Sequence, residues 1–252
     1  MRLVNKVVII TGGGLGIGRI LANRLAEEGA RIIIAQRSEE TAGRVVDEIT
    51  GKGQEASFIQ TDVSKESSTV SMAEKTVEKY GSIDVLVNNA TVSLASLGPK
   101  PFDQISIKEW DRVMAVNLRG TWLCCKAVAP YMKGQRKGKI INTSSSAWDT
   151  GELPFLHYLA SKAGIVGITR GLARELGEWN INVNCVSYGP VITESNREIY
   201  SRERQMEDLD QQCIKRPAVP EEIVGTVMFL ASEESDFVTG QTIHPNGGIY
   251  FH

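Results

Sequence analysis

With 252 residues, 42% of them hydrophobic and 23% charged, the chain has the make-up of an ordinary globular protein, long enough for one large α/β domain. A net charge of −2 without a long single-sign run argues against a phosphate-tracking surface, and so against nucleic-acid binding. No apolar run can span a bilayer, the first strand starts too early to leave room for a signal peptide, and the four cysteines lack CxxC or His/Cys metal spacing. A cytoplasmic chain with reduced thiols, no membrane partner and no metal is expected.

Val7 to Ile10 are β-branched and apolar without interruption, the pattern of a strand buried on both faces. Thr11, Gly12, Gly13, Gly14, Leu15, Gly16, Ile17 and Gly18 follow with the spacing TGxxxGxG. From Ile17 the apolar residues fall at Ile17, Ile20, Leu21 and Leu25, a helix with one buried stripe. A strand that ends in glycines at a helix N-terminus suits a phosphate: the backbone can be approached closely, and the helix dipole and first-turn amides favour an anion.

Strand and helix then alternate. Strands are expected at Ala30 to Ala35, Ala56 to Gln60 (before Thr61-Asp62-Val63), Val85 to Val87 (before Asn88-Asn89-Ala90), Lys139 to Asn142, Ile181 to Val186 and near Thr242. Helices are expected from Glu39 to Gly51, Lys65 to Tyr80, Ile107 to Lys133, Tyr158 to Leu176 and Pro220 to Ala231. Such alternation implies a single-domain, Rossmann-type doubly wound parallel sheet of about seven strands, with ligands beyond the strands' C-terminal ends. The polar clusters all follow strand ends, so they can converge on one site. Residues 1–252 read as one domain, with Gly189 to Arg216 as a charged, weakly periodic substrate lid inside it.

Tyr158 and Lys162 stand four residues apart at a helix start, so phenol and ammonium share a face. The ammonium is expected to lower the phenol pKa and make Tyr158 an acid or base near neutrality. Ser145 stands thirteen residues earlier, at a strand end.

TGxxxGxG at 11–18, Asp62-Val63, NNA at 88–90, Asn117, Ser145 and YxxxK at 158–162 occur in order. Together with Thr239-Gly240-Gln241-Thr242 and Gly247-Gly248, the chain resembles the short-chain dehydrogenase/reductase family over essentially its whole length, as a 3-oxoacyl-reductase-like or secondary-alcohol dehydrogenase-like member.

The resemblance implies that Tyr158 exchanges a proton with the substrate oxygen, which Ser145 hydrogen-bonds, and that Lys162 tunes Tyr158 and holds the nicotinamide ribose. Asn117 would anchor a relay water. The cofactor would lie on Gly12, Gly14, Leu15, Gly16, Ile17, Gly18, Arg37, Asp62, Val63, Asn89, Ala90, Tyr158, Lys162, Gly189, Val191 and Thr193. Gln36 stands where an acid would select NAD, and Arg37 offers a cation suited to a phosphate, so NADP is expected, with NAD the alternative.

Two positions depart from the family pattern: Thr91 after NNA, and Tyr188 before Gly189-Pro190. Trp148, Leu153, Phe155, Tyr188 and Ile192 would form an apolar substrate pocket. The expected activity is hydride transfer between a nicotinamide cofactor and a small-molecule carbonyl or secondary alcohol; the alternative is an inactive nucleotide-sensing regulator on the same fold. His157, His244 and His252 are isolated, without ligand spacing. Surplus apolar residues on the helices of Asn117 and Tyr158 (Val113, Met114, Val116, Leu118, Trp122 and Leu123; Ile165, Val166, Ile168 and Leu172) suggest a homotetramer, or a homodimer as the alternative.

Overall fold

The computed structural model describes residues 1–151, 154–193 and 202–251. Its strands are β1 (Val7–Thr11), β2 (Arg31–Gln36), β3 (Ala56–Gln60), β4 (Val85–Asn88), β5 (Gly138–Ser145), β6 (Ile181–Tyr188) and β7 (Thr242–Ile243). All pair in parallel in the order β3-β2-β1-β4-β5-β6-β7. The helices are α1 (Gly16–Glu27), α2 (Glu39–Thr50), α3 (Glu66–Tyr80), α4 (Leu94–Leu97), α5 (Ile107–Val113), α6 (Gly120–Gln135), α7 (Ala147–Thr150), α8 (Leu156–Leu176), α9 (Arg202–Gln211) and α10 (Pro220–Ala231).

The unbroken apolar strands follow from helices on both faces. Val8, Ile10, Ile32 and Ile34 point to one side with Leu21 and Leu25 of α1, Ile49 of α2 and Val227 of α10. Their neighbours Ile9, Ile33 and Leu86 point to the other, against Met72 of α3, Val128 of α6 and Leu176 of α8. One-residue alternation thus feeds two cores from each strand.

After β3 the chain returns across the sheet to place β4 beside β1, and a crevice opens at that reversal, beyond the strand ends. The termini of α1, α5 and α8 that face it bring the motifs together.

Two expectations are corrected here. The long helix at 107–133 is not uniform: Met114–Arg119 forms a π-helical turn between α5 and α6, with Asn117 inside it. β5 and β6 run further than expected, so that Ser145 is the last residue of β5 and pairs with Tyr188, the last of β6. Part of the 189–216 segment is the regular helix α9, and beyond it the Ile214 amide donates to the Gly247 carbonyl at 3.0 Å. Positions 194–201 of the expected lid, with Leu153, lie outside the described residues.

Candidate active site

At the end of β1 the chain turns through Gly12 (φ 66°) and Gly16 (φ 53°) into α1. The left-handed region favours glycine at both. A Cβ on Gly18 would lie 2.2 Å from the Gly12 carbonyl, so turn and helix can meet only with glycine there. Asn89 laces this turn to the end of β4: its Nδ2 donates to the Thr11 and Gly12 carbonyls, each at 3.1 Å. Thr11 Oγ1 in return accepts the Asn89 and Ala90 amides, each at 3.0 Å. No side chain caps α1, and its first turn faces a cleft of about 810 Å³.

Gly12, Leu15, Gly16, Ile17 and Gly18 line that cleft. So do Arg37, Asp62 and Val63 at one end, and Asn89, Ala90, Tyr158 and Thr193 towards the other. Gly14, Lys162, Gly189 and Val191 do not line it. Gly14 gives its amide to Gln36 Oε1 at 2.8 Å, and a Cβ there would strike that side chain. Gly189 is needed for close packing, because a Cβ would lie 2.7 Å from Asn246 Cα. Val191 is buried in the core against the α10 side of the sheet.

The residue at the end of β2 does more than lack a charge. Gln36 accepts from Gly14 and donates through Nε2 to the Ser38 carbonyl (2.8 Å) and Thr41 Oγ1 (2.6 Å), so it braces the glycine turn against the start of α2. Arg37 is exposed at the rim of the cleft. Across from it, Asp62 takes the Ser64 hydroxyl at 2.6 Å, which, with Lys65 and Arg37 nearby, holds its carboxyl below the usual range. Ser64 also lines the cleft and was not anticipated.

At the other end, Tyr158 occupies the first turn of α8 with the Ser145 side chain beside its phenol. Lys162, one turn on, lies 5.6 Å from the Tyr158 ring centroid and donates to the Thr143 carbonyl at 3.0 Å. Ser144 is turned to α8, its hydroxyl donating to the Lys162 carbonyl at 2.8 Å, which leaves Ser145 as the serine beside the phenol.

The expected lowering of the Tyr158 pKa is not what the structure gives. Burial pushes the phenol up to about 12, with the Ser145 hydrogen bond pulling the other way, and burial pushes Lys162 down to about 8. Desolvation penalises the charged form of each group, and it outweighs what an ammonium across the ring contributes.

Asn117 is fully buried. Its Oδ1 accepts the Val92 amide at 2.8 Å and its Nδ2 donates to Ser161 Oγ at 3.0 Å. Ser161 donates on to the Tyr158 carbonyl at 2.7 Å, so Asn117 fixes both the chain after β4 and the backbone of Tyr158. The Asn117 carbonyl accepts the Thr121 hydroxyl at 2.7 Å. Ser161 carried no signal beyond lying inside YxxxK.

The aromatics expected to wall a substrate pocket are mostly spent on packing. Phe155 is buried with Val92, Leu97, Val113 and Tyr158, Trp148 lies against the cluster of Ile165, Val166 and Cys185, and Tyr188 enters the core with Val191. Thr91 is exposed. Among the described residues no cluster of metal-binding side chains occurs, and no helix is long and apolar enough to cross a membrane.

Residues 13–250 match the family described as enoyl-(acyl carrier protein) reductase. The chain is similar to the 3-oxoacyl-(acyl-carrier-protein) reductase FabG of Staphylococcus epidermidis, at 39% identity over 248 residues, covering 98% of this chain and 100% of that one. To the hydroxy(phenyl)methylsuccinyl-CoA dehydrogenase subunit BbsD of Thauera aromatica it is 37% identical over 250 residues, covering 98% of each. Among solved structures, levodione reductase matches with a TM-score of 0.92 at 31% identity, covering 98% of each chain.

Proposed function

The chain belongs to the short-chain dehydrogenase/reductase family and is an oxidoreductase acting on carbonyl or CH–OH groups; from that premise we propose that it uses NADP, with Tyr158 as the proton-transferring group. The observation that carries this reading is the placing of the Tyr158 phenol beside Ser145 at the end of β5, with Lys162 on the same helix. Two hydroxyls placed together can both reach one substrate oxygen, one to orient it and one to exchange a proton with it, which is what reduction of a carbonyl needs. Of the chemistries named among the relatives, 3-oxoacyl or secondary-alcohol conversion therefore fits best.

The residues present fit a dinucleotide. Gly18 and Gly12 keep the turn free of side chains where a pyrophosphate would approach, and α1 points its dipole there. Asp62 and Val63 would face the adenine, and Asn89 and Ala90 the riboses. Arg37, exposed at the rim with Gln36 turned inward, would take a 2′-phosphate. When bound, the nicotinamide supplies or accepts the hydride.

Ser145 would orient the substrate oxygen and stabilise charge developing on it. Tyr158 would give that oxygen its proton in reduction and take it in oxidation. Lys162 would favour the ionised phenol when protonated and hold the ribose hydroxyls. Asn117 would anchor a relay water at its carbonyl; in support, π turns shift the hydrogen-bond ladder and recur at functional sites. With Asn117, Ser145, Tyr158 and Lys162 all present, the inactive-regulator reading has no support.

The test is absorbance at 340 nm with a panel of ketones, 3-oxoacyl thioesters and secondary alcohols. Cofactor-dependent turnover of at least one class is expected. Binding of NADPH with no turnover of any member would overturn the reading.

A further inference from the structure

Tyr158 must be held to a fraction of an ångström, yet it sits where a helix is weakest. It is the third residue of α8, whose N-cap position is Phe155, and no side chain caps the turn. First turns without caps fray unless something else ties them.

The tie is the preceding residue. His157 is fully buried, and its Nε2 lies 3.4 Å from Glu109 Oε1 on α5. Its Nδ1 has no hydrogen-bond partner among the described residues, so the imidazole has a single polar tether. Glu109 Oε2 in turn accepts Lys100 Nζ at 2.8 Å, and the Lys100 amide donates to the Pro154 carbonyl at 3.1 Å. Lys100, above all, holds the Glu109 carboxyl below its usual range, which keeps a charged acceptor opposite the imidazole. Hydrogen bonds to ionised groups are the stronger kind.

These contacts close a ring: from Pro154 along the chain to His157, across to Glu109, to Lys100, and back to Pro154. It joins the entry of α8 to the segment at 92–101 that follows β4. The same segment touches the phenol ring, since Val92 and Leu97 pack with Phe155 and Tyr158. His157 itself does not line the cleft.

We propose that His157, acting through Glu109 and Lys100, is a positioning residue that locks the Tyr158 phenol and the 92–101 wall of the substrate pocket into one unit. The inference rests on the reading of Tyr158 as the proton-transferring group, but its test does not depend on turnover alone.

The full-length variants His157→Leu and His157→Gln separate tether from bulk, because glutamine keeps an N–H donor near the Nε2 position. Hydrogen exchange of the 159–162 amides, which close the first turn of α8, kcat with the best substrate of the panel, and NADPH affinity are measured for each. For His157→Leu, first-turn exchange is expected to rise about tenfold. Its kcat is expected to fall about 10- to 100-fold, the scale of a small misplacement. NADPH affinity should stay within about twofold, and His157→Gln should recover most of both losses.

Unchanged first-turn exchange in His157→Leu would overturn the proposal. So would a glutamine variant as impaired as the leucine one, or exchange that rises equally throughout the chain. If the unaltered protein turns over no substrate, the oxidoreductase reading fails while the exchange data still decide the tether.

Discussion

Lys162 Nζ donates to the Thr143 carbonyl at 3.0 Å, two residues before Ser145 on the same strand. This bond crosses from α8 to β5 and so sets the distance between the helix that carries Tyr158 and the strand that delivers Ser145. Its depth has an electrostatic consequence. With both groups buried, the neutral phenol and the neutral amine are each favoured, and their pKa values move apart, to about 12 and about 8.

That displacement predicts a pH-dependent stability with a defined sign. The folded Lys162 value of about 8 lies below the ordinary 10.5, so between those limits the unfolded chain binds more protons and stability rises with pH. Tyr158 acts oppositely between 10 and about 12, where the folded state keeps its proton longer. Relative to Lys162→Met, the urea midpoint of the unaltered protein should therefore rise between roughly pH 7.5 and 9.5. A flat difference across that range contradicts the burial argument.

Tyr158→Phe should abolish turnover and leave cofactor affinity nearly intact, since only the hydroxyl moves a proton and the ring keeps its packing against Val92 and Phe155. Positioned acid–base groups contribute about 10²–10⁴-fold, so kcat within about tenfold of the parent rules out the role. Steady-state rates and NADPH titration measure both quantities.

NADPH should bind more tightly than NADH. Arg37→Ala should narrow the gap by weakening NADPH alone, because Arg37 stands exposed at the rim while Gln36 is engaged with Gly14, Ser38 and Thr41. Loss of a charge-assisted phosphate contact costs about 1.5–3 kcal/mol. Equal dissociation constants for the two cofactors in the unaltered protein would refute it.

Two glycines should respond oppositely to alanine. At Gly18 the new Cβ meets the Gly12 carbonyl at 2.2 Å, and overpacking of this kind costs about 1–3 kcal/mol, with cofactor affinity falling too. At Gly43, inside α2, nothing lies within 4 Å, so alanine should stabilise by about 0.5–1 kcal/mol. Thermal melts with and without NADPH compare the two.

The protein is expected to be a homotetramer, or a dimer through one face. Of the surplus apolar residues on the helices of Asn117 and Tyr158, Val113, Leu123, Ile165 and Val166 are buried within the chain. Met114, Leu118 and Ile168 still line a groove beside Trp122, which is 43% exposed. Light scattering should give a multiple of the chain mass, and Trp122→Glu should lower it. A monomer at micromolar concentration excludes both assemblies.

Much of this molecule is legible along the chain because the signals involved are local. Strand and helix periods, the TGxxxGxG turn, and the spacing of Ser145, Tyr158 and Lys162 depend on residues a few places apart, and the βα alternation then leaves little choice of sheet. Other features depend on groups that only folding brings together. Gln36 meets Gly14 across 22 positions, and His157 meets Glu109 across 48. The π turn around Asn117 answers to Val92 and Ser161, not to its own sequence. Phe155 and Tyr188 could have lined a pocket, but tertiary packing turned them into core and set Trp148, half-buried, against Ile165 and Val166. The pKa of Tyr158 shows the division most clearly. The i, i+4 lysine is visible in the sequence, but desolvation sums over every neighbour that excludes water, and that sum exists only in the tertiary structure.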